Sequence, residues 1–391
     1  MMIVWHRGFK PRRSVSKMVF LIKSALVKKT FLANIFMSKK YKNIAYSILD
    51  LALVSEGDSI SDTLNNSLKL AQEAEACGYT RYWFAEHHNS VSIASASPPV
   101  LIAHVASGTK TIRVGSGGIM LPNHAPLIVA EQFGTLGALY PNRIDMGLGR
   151  AAGTDQATAY AIRRDRMHSV YKFPEEINQI QQYFSTNNAK SKVRAQIAEG
   201  VDVPIYILGS STDSAHLAAR LGLPYAFASH FATTHLMEAL AIYHREFQPS
   251  ASLKEPYAIA AVNVIIGESE EAAERMFTTL IRAIYGLLTN QRGRLQAPTE
   301  MTDDLREVVR HPAVQQMLRY SFVGNKDMVK EKTAAFLAQT QVKELIAVTN
   351  IYDAQDRVAS YRLFSEIMKE LSDNEEKKIE SEKTAIFVSE S

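Results

Sequence analysis

Short apolar runs alternate with longer amphipathic segments along most of the chain, from about Lys42 onward. The apolar runs predict eight strands: Ile44–Leu49, Tyr82–Ala85, Arg113–Ser116, Ile144–Gly147, Ile205–Leu208, Tyr225–Ala228, Ala258–Ile266 and Leu345–Thr349. Apolar residues at helical spacing predict the helices between and after them: Ser61–Cys77, Pro98–Ser107, Leu127–Leu139, Glu175–Phe184, Asp213–Leu221, Thr234–Phe247, Glu270–Leu288, Lys326–Gln339 and Asp353–Leu371. Strands that alternate with helices are typical of a parallel α/β sheet, and eight of them favour a (β/α)₈ TIM barrel over an open sheet.

Two segments exceed what a minimal barrel needs. Residues 186–203 are polar and lack a strand pattern, so we expect a long loop at the barrel rim. Residues 289–325 hold a turn rich in Gly, Arg, Gln and Pro, followed by further helical sequence. Long insertions at a rim usually form lids or substrate walls. The sequence therefore predicts a barrel domain over residues 42–371 with rim insertions, and a disordered polar tail over residues 372–391.

The first 42 residues differ in charge from the rest of the chain. They contain 11 Lys or Arg and no acidic residue, whereas the remainder has 33 basic against 40 acidic residues, a net of −7. This composition resembles an organellar transit peptide, but it also fits an over-extended reading frame with the natural start at Met37. We favour the second interpretation and treat residues 1–41 as a basic extension that is disordered or precedes the natural start.

Composition argues against several classes of function. A nucleic-acid-binding protein would carry its basic charge on the folded domain, which here is acidic. No apolar run reaches the roughly 18 residues that a membrane span requires. The single cysteine, Cys77, excludes an internal disulfide and suits a reducing compartment. We therefore expect a cytoplasmic protein without nucleic-acid or membrane partners.

A cluster of ionisable residues, Glu86-His87-His88-Asn89, follows the second predicted strand. Side chains alternate along a strand, so His87 shares one face with Ala85, while Glu86 and His88 share the other. A histidine at a barrel strand end can act as a general base or a hydrogen-bond donor near neutral pH. Two alternatives stay open at this point: a structural histidine bonded to a backbone carbonyl, and a metal ligand. The second is weak, because adjacent histidines point in opposite directions and rarely bind one ion.

Glycines end the third predicted strand, at Gly115–Gly118. Without Cβ atoms, this backbone can approach a ligand closely, although a tight turn is the alternative explanation. The run lacks the spacing of a dinucleotide-binding motif, and no acidic residue follows at the expected distance. The sequence therefore argues against an NAD site of the Rossmann type.

A candidate anion site follows the fifth predicted strand, where Ser210, Ser211 and Thr212 precede a helix that begins at Asp213. Free backbone N–H groups, hydroxyls and the helix dipole together favour an anion. The same residue types are also ordinary helix caps. Arg150, at a neighbouring strand end, favours the anion site because a guanidinium can bind phosphate through two hydrogen bonds.

These motifs together resemble those of a known family. In order, the chain contains Tyr-Trp-Phe-Ala-Glu-His-His-Asn, Val-Gly-Ser-Gly-Gly-Ile-Met-Leu-Pro-Asn-His-Ala-Pro, Glu-Gln-Phe-Gly-Thr-Leu and Pro-Asn-Arg-Ile-Asp-Met-Gly-Leu-Gly-Arg-Ala. This series resembles the bacterial-luciferase-like flavin-dependent monooxygenases, from Ile44 to about Leu371. The single-chain branch is most similar, because it also carries Gly-Thr-Asp-Gln-Ala-Thr, here Gly153–Thr158, and Leu-Gly-Ser-Ser at the fifth strand.

The resemblance implies a barrel that binds FMN, reduced by a separate flavin reductase, and that uses O₂ to oxygenate a small organic substrate. His87 matches the histidine beside the flavin's reactive edge and is the predicted catalytic residue. Gly117 and Gly118 match a pair under the ring that a cis peptide joins in relatives, and Arg150 matches the phosphate arginine. The other predicted cofactor-binding residues are Glu86, Ser210, Ser211 and Thr212, in or next to these motifs, and His230, which follows the sixth predicted strand where a rim residue would face the ring. Relatives commonly dimerise, so we expect a homodimer, and we expect no metal.

The sequence also departs from true luciferases. Their reactive cysteine falls on Gly149 here, so the resemblance does not imply light emission. The surroundings of Asn123 and His124 differ as well, so the substrate cannot be assigned. Three alternative functions stay open: an F420-dependent hydride-transfer enzyme, a non-catalytic flavin-binding protein and a zinc hydrolase.

Overall fold

The computed structural model describes residues 44–163 and 170–389, with side chains up to residue 373. In these ranges the strands are β1 Ala45–Asp50, β2 Arg81–Phe84, β3 Arg113–Met120, β4 Ile144–Gly149, β5 Ile205–Gly209, β6 Tyr225–Phe227, β7 Ala258–Ile266, β8 Ser321–Gly324 and β9 Glu344–Val348. Eight of them correspond to predicted strands: seven have bounds within two residues of the prediction, and β3 runs four residues past its predicted end at Ser116. The exception is β8, which the sequence analysis did not predict.

Parallel pairing closes eight of these strands into a ring. The strand order is β1 to β7 in sequence, then β9, which pairs back with β1. Strand β8 stands outside the ring and pairs only with the last residues of β7, from Asn263 to Ile266. The prediction of a (β/α)₈ barrel with a rim insertion is therefore confirmed.

Helices follow the strands along the chain. In chain order they are α1 Ile60–Cys77, α2 Pro98–Ser107, α3 Pro126–Leu139, α4 Gln156–Ile162, α5 Phe173–Phe184, α6 Thr212–Leu221, α7 Leu236–Glu246, α8 Glu270–Leu288, α9 Asp303–Arg310, α10 Pro312–Leu318, α11 Lys326–Thr340 and α12 Ala354–Ser389. Short 3₁₀ turns occur at Leu121–Asn123 and Thr186–Lys190. None of the described helices is both long enough and apolar enough to cross a bilayer.

The structure differs from the predicted elements mainly at the chain ends and the insertions. Helix α12 continues to Ser389, well past the predicted end at Leu371, through a segment rich in Glu and Lys, which are good helix formers. Helices α9 and α10 and strand β8 occupy much of the insertion at residues 289–325. The predictions for residues 1–41 lie outside the described residues.

A buried ion network closes the end of the barrel where the strands begin. The Arg81 guanidinium donates to Asp145 at 2.8 Å, to Glu344 at 2.7 Å and to the Tyr206 hydroxyl at 2.7 Å. Arg113 also donates to Asp145, so two cations face two carboxylates. Burial lowers the pKa of Arg81, but the two carboxylates outweigh it and raise that pKa well above its ordinary value. The network fixes the first residues of β2, β3, β4 and β9 against one another and forms the floor of the barrel interior.

Close pairing of β3 and β4 requires a glycine on each strand, at Gly115 and Gly147. A Cβ atom at Gly115 would lie 2.4 Å from the carbonyl oxygen of Asp145, and one at Gly147 would lie 2.2 Å from that of Ser116. Contacts this short exclude a side chain, so the close pairing of β3 and β4 accounts for these residues. The strand thus continues through the glycines to Met120 and does not end at Ser116 as predicted.

Candidate active site

A cavity of about 550 Å³ opens at the ends of the barrel strands. Its inner wall is apolar and includes Leu49, Trp83, Leu208, Ile259 and Ile346. Its polar lining comes from the segments that follow the strands: His87, Arg150, Ser210, Ser211, Ser214 and His230. The C-terminal ends of barrel strands are where active sites of this fold are built, and the volume suits a small-molecule ligand.

His87 occupies the segment after β2 and lines the cavity on the same face as Trp83 and Ala85. Its Nδ1 atom lies 3.3 Å from the carbonyl oxygen of Gly153. A carbonyl oxygen only accepts, so this contact places the proton on Nδ1 and leaves Nε2 as an acceptor. Burial lowers the pKa of His87. The imidazole is therefore neutral near pH 7 and can accept a proton or a hydrogen bond at Nε2.

Glu86 points to the opposite side of the strand and does not line the cavity. Its buried carboxylate accepts hydrogen bonds from His88 at 2.8 Å, His124 at 2.9 Å, Asn123 at 3.1 Å and the Met120 backbone at 2.9 Å. Burial alone would raise the pKa of Glu86, but the bonds from His124 and His88 outweigh it and lower that pKa to about 2. Glu86 thus joins the end of β3 to the segment that carries His87, in place of the direct cofactor contact that the motif suggested.

Gly117 and Gly118 line the cavity, and the peptide between them is cis. A Cβ atom at Gly117 would lie 2.6 Å from Leu49, and one at Gly118 would lie 2.7 Å from the carbonyl oxygen of Gly147. Packing against the backbone of β4 therefore requires a glycine at Gly118, independently of any ligand, whereas the closest contact at Gly117 is the end of the Leu49 side chain. Their backbone nevertheless forms a flat, apolar part of the wall.

The polar end of the cavity lies where β4 and β5 end. Arg150 follows β4, and Ser210 and Ser211 lie between β5 and helix α6, whose first residue is Thr212. All but Thr212 line the cavity. The Arg150 guanidinium donates to Asp213 at 3.2 Å, and about half of its side chain is exposed. A guanidinium, hydroxyls and the positive end of a helix thus meet here, which is an arrangement that attracts an anion.

A second layer of hydroxyls fixes this turn. The Ser214 hydroxyl donates to the Ser211 carbonyl oxygen at 2.7 Å, and the buried Tyr225 hydroxyl lies 3.0 Å from Ser214 and 3.2 Å from the same carbonyl. The Ser211 side chain itself makes no capping bond to the helix. Its hydroxyl is thus not needed to hold the turn. The sequence analysis missed Ser214 and Tyr225, because nothing in the apolar strand β6 indicates that its tyrosine hydroxyl contacts the turn after the neighbouring strand β5.

His230 follows β6, and the rest of its loop is firmly held. The Ser229 hydroxyl donates to the carbonyl oxygen of Ala261 at 2.6 Å, and Asn263 donates to the carbonyl oxygen of His230 at 2.6 Å. The Nδ1 atom of His230 is buried without a hydrogen-bond partner. Burial, and to a lesser extent the nearby His87, lowers the pKa of His230 to about 3.

The insertion at residues 289–325 contacts the barrel mouth without lining the cavity. Leu295 pairs with the loop after β1, where its N–H donates to Val54 and its carbonyl accepts from Glu56. Arg292, on the same segment, contributes to lowering the pKa of His87.

Seven predicted site residues therefore meet at one cavity, and Glu86 and Thr212 do not line it. The seven are His87, Gly117, Gly118, Arg150, Ser210, Ser211 and His230. Within the described ranges, no group of three or more His, Cys, Asp or Glu side chains is arranged to hold a metal ion. The residues that sequence analysis missed are Gly153, Ser214 and Tyr225, of which only Gly153 belonged to a motif.

Comparison with known proteins identifies consistent relatives. The model of the luciferase-like monooxygenase family matches residues 46–344. A luciferase-like monooxygenase of Escherichia coli K12 is 44% identical over 330 residues, which cover 84% of this chain and 98% of that protein. The crystal structure of apo-MsnO8 superimposes with a TM-score of 0.75 at 32% identity, covering 83% of this chain and 98% of the other. The oxygenating constituent of 3,6-diketocamphane monooxygenase from Pseudomonas putida, in complex with FMN, has a TM-score of 0.62 at 18% identity, covering 84% and 98%.

Proposed function

Because the chain belongs to the luciferase-like monooxygenase family, we propose that it is an FMN-dependent monooxygenase. It takes up reduced FMN and O₂, transfers one oxygen atom to a small organic substrate and releases the other as water. Reduced FMN supplies two electrons when bound and the substrate supplies the other two, so that O₂ is fully reduced. The observation that carries the proposal is the single cavity in which a neutral histidine, an apolar wall and an anion-attracting turn meet.

The cavity fits FMN in both shape and charge. Its apolar wall, from Leu49 to Ile346, suits a flat aromatic ring, and the backbone of Gly117 and Gly118 leaves that wall without projecting side chains. Arg150 and the hydroxyls of Ser210 and Ser211 would bind the phosphate at the polar end. The flavin of the FMN complex named above supports this choice of cofactor.

His87 is the proposed catalytic residue. Its Nδ1–H is held by the Gly153 carbonyl, so its bare Nε2 can hold or accept a proton at the reacting edge of the ligand. The apolar wall excludes water, which would otherwise divert reduced oxygen to hydrogen peroxide. Glu86, on the side of this segment that faces away from the cavity, holds it in place through its bonds with Met120 and His124.

Two partners complete the proposal. A separate flavin reductase would supply reduced FMN, because the sequence contains no nicotinamide-binding motif.

A homodimer would cover the apolar surface of helices α2 and α3, where Val100, Ile128 and Leu139 are 67%, 48% and 62% exposed. Light scattering would give twice the chain mass for this dimer, and Val100→Lys with Leu139→Lys would yield the monomer. We place the protein in the cytoplasm, as the single cysteine suggests.

Rapid mixing tests the proposed chemistry. Protein loaded anaerobically with reduced FMN is mixed with oxygenated buffer while the flavin spectrum is followed. We expect the bound flavin to reoxidise through a distinct phase that outlasts the reoxidation of free reduced FMN. Reoxidation at the rate of free flavin, with or without candidate substrates, would refute the monooxygenase and leave a flavin-binding protein.

Competition between cofactors tests the main alternative. Solved structures with this fold include F420-dependent enzymes, so FMN and F420 are titrated against each other. We expect FMN to displace F420, and the reverse result would favour hydride transfer. Riboflavin provides the control for the phosphate: it should bind more weakly than FMN, and Arg150→Ala should remove most of that difference.

A further inference from the structure

His87 and His230 lie on opposite sides of the barrel mouth. His87 is the third residue after β2, and His230 is the third residue after β6. In the ring of eight strands, β2 and β6 are four positions apart and therefore opposite each other. Both imidazoles line the same cavity, and each follows its strand at the same distance.

The buried Nδ1 atom of His230 constrains the protonation of this ring. A protonated Nδ1 would be a buried donor without an acceptor, which costs more than a buried nitrogen lone pair. The proton of the neutral ring therefore belongs on Nε2. The Nε2 atom of His230 makes no hydrogen bond in the described part of the chain and, unlike Nδ1, is not buried, so it is the ring nitrogen that faces the cavity.

We infer that His230 presents an N–H donor from Nε2 to the bound flavin ring, opposite the bare Nε2 acceptor of His87. This inference rests on the proposed function for the identity of the ligand, but the two tautomers follow from the protein alone. The site would then hold one neutral donor and one neutral acceptor on opposite walls. Such a pair orients a ring that has both carbonyl oxygens and N–H groups along its edges, as the isoalloxazine has.

The charge state of His230 agrees with this role. Burial disfavours the charged imidazolium, whose second N–H would also lack a partner, and with a smaller contribution from His87 it lowers the pKa of His230 to about 3. The groups that surround it do not reverse this, because Phe231 packs edge-on at 4.9 Å, Asn263 contacts only its carbonyl, and His87 is itself neutral. The donor therefore stays neutral across the physiological pH range.

Imidazole ¹⁵N resonances test the tautomers in the intact protein without any ligand. Histidine-labelled protein is compared with His230→Gln, which identifies the His230 signals among the 11 histidines, and with His216→Gln, a half-exposed histidine on α6, as control. We expect the Nε2–H tautomer for His230, unchanged from pH 8 to pH 5, and the Nδ1–H tautomer for His87 at pH 8. A proton on Nδ1 of His230, or a charged ring at pH 7, would overturn the inference.

Binding of FMN tests the contact itself. We expect FMN to shift the His230 Nε2–H signal and to leave His216 unmoved. His230→Gln, whose amide places a donor near the same position, should keep the FMN affinity within twofold, while His230→Met, which has similar bulk but no donor, should lose about 3- to 10-fold. If FMN binds but both variants match the wild type, the contact is refuted. If FMN does not bind the wild type at all, the proposed cofactor is refuted, while the tautomer result stands separately.

Discussion

Glu86→Gln measures how strongly the buried carboxylate holds the active-site segment. The four donors around Glu86 lower its pKa from 4.5 to about 2. One pKa unit corresponds to about 1.4 kcal/mol, so the ionised form stabilises the fold by about 3 kcal/mol. Glutamine removes the charge, and its side-chain NH₂ group would face the donors that now surround the Glu86 carboxylate. We therefore expect the free energy of unfolding to fall by at least about 3 kcal/mol at pH 7.

The pH dependence gives the sharper test, because its sign is fixed. A carboxyl whose pKa is lowered by folding contributes stability above its ordinary pKa and loses that contribution as the pH falls through the lowered value. The difference between wild type and Glu86→Gln should therefore be about 2 kcal/mol smaller at pH 3 than at pH 7.

Urea unfolding followed by circular dichroism at both pH values measures this difference, provided that the slopes with urea agree between the two proteins. Asp155→Asn serves as control: Asp155 also has a lowered pKa, through bonds from Thr158, but it is exposed to water and asparagine caps helix α4 equally well. We expect a much smaller loss for the control. A loss below about 1 kcal/mol for Glu86→Gln at pH 7, or an equal loss at pH 3, would contradict the reasoning from this carboxylate.

Three further predictions concern the turn, the floor and the catalytic histidine. Tyr225→Phe should lower the affinity for FMN about 3- to 10-fold in fluorescence titrations and keep the affinity for riboflavin within twofold, because the Tyr225 hydroxyl holds the Ser211 carbonyl. The control is Tyr243→Phe, which removes a buried hydroxyl bonded to Leu223 and should change neither affinity. Arg81→Met should lower the free energy of unfolding by about 3–5 kcal/mol, since it leaves two buried carboxylates short of a partner, and a loss under 1 kcal/mol would show that the floor network is dispensable. His87→Ala should keep the affinity for reduced FMN but speed reoxidation of the bound flavin and release of hydrogen peroxide; an unchanged rate in rapid mixing would remove His87 from the oxygen step.

The sequence predicted the barrel well, because its strands are buried on both faces and appear as apolar runs between amphipathic helices. The nine residues of β7 are all buried, and all but Asn263 are apolar, so the apolar run gave that strand its correct bounds. Strand β8 was not predicted because it has only four residues, of which every second one is buried, and it lies between two helices. So short a pattern cannot be distinguished from that of a loop.

The placement of the candidate site residues could be predicted where the alternation of side-chain directions along an extended segment determines which of them faces the cavity. His87 and Glu86 are adjacent, so a strand had to point them in opposite directions, and the cavity lies on the side of His87. The partners of Glu86 could not be predicted in the same way. Met120 and His124 lie more than 30 residues away and meet the carboxylate only because β3 pairs with β2 in one register. The same holds for Arg81 and Glu344, which are 263 residues apart in sequence.

Strand β7 pairs along one edge with two different strands, so the insertion at residues 289–325 can vary without changing the ring of strands. Its first part, Ile259–Asn263, pairs with β9 and closes the ring, whereas its last part, Asn263–Ile266, pairs with β8. The two pairings share only Asn263, so residues that precede β8 can change in length or sequence while ring closure is preserved. Descendants of one barrel can thus acquire different surfaces beside the mouth, and selection on those surfaces does not have to act on the strands that carry the chemistry.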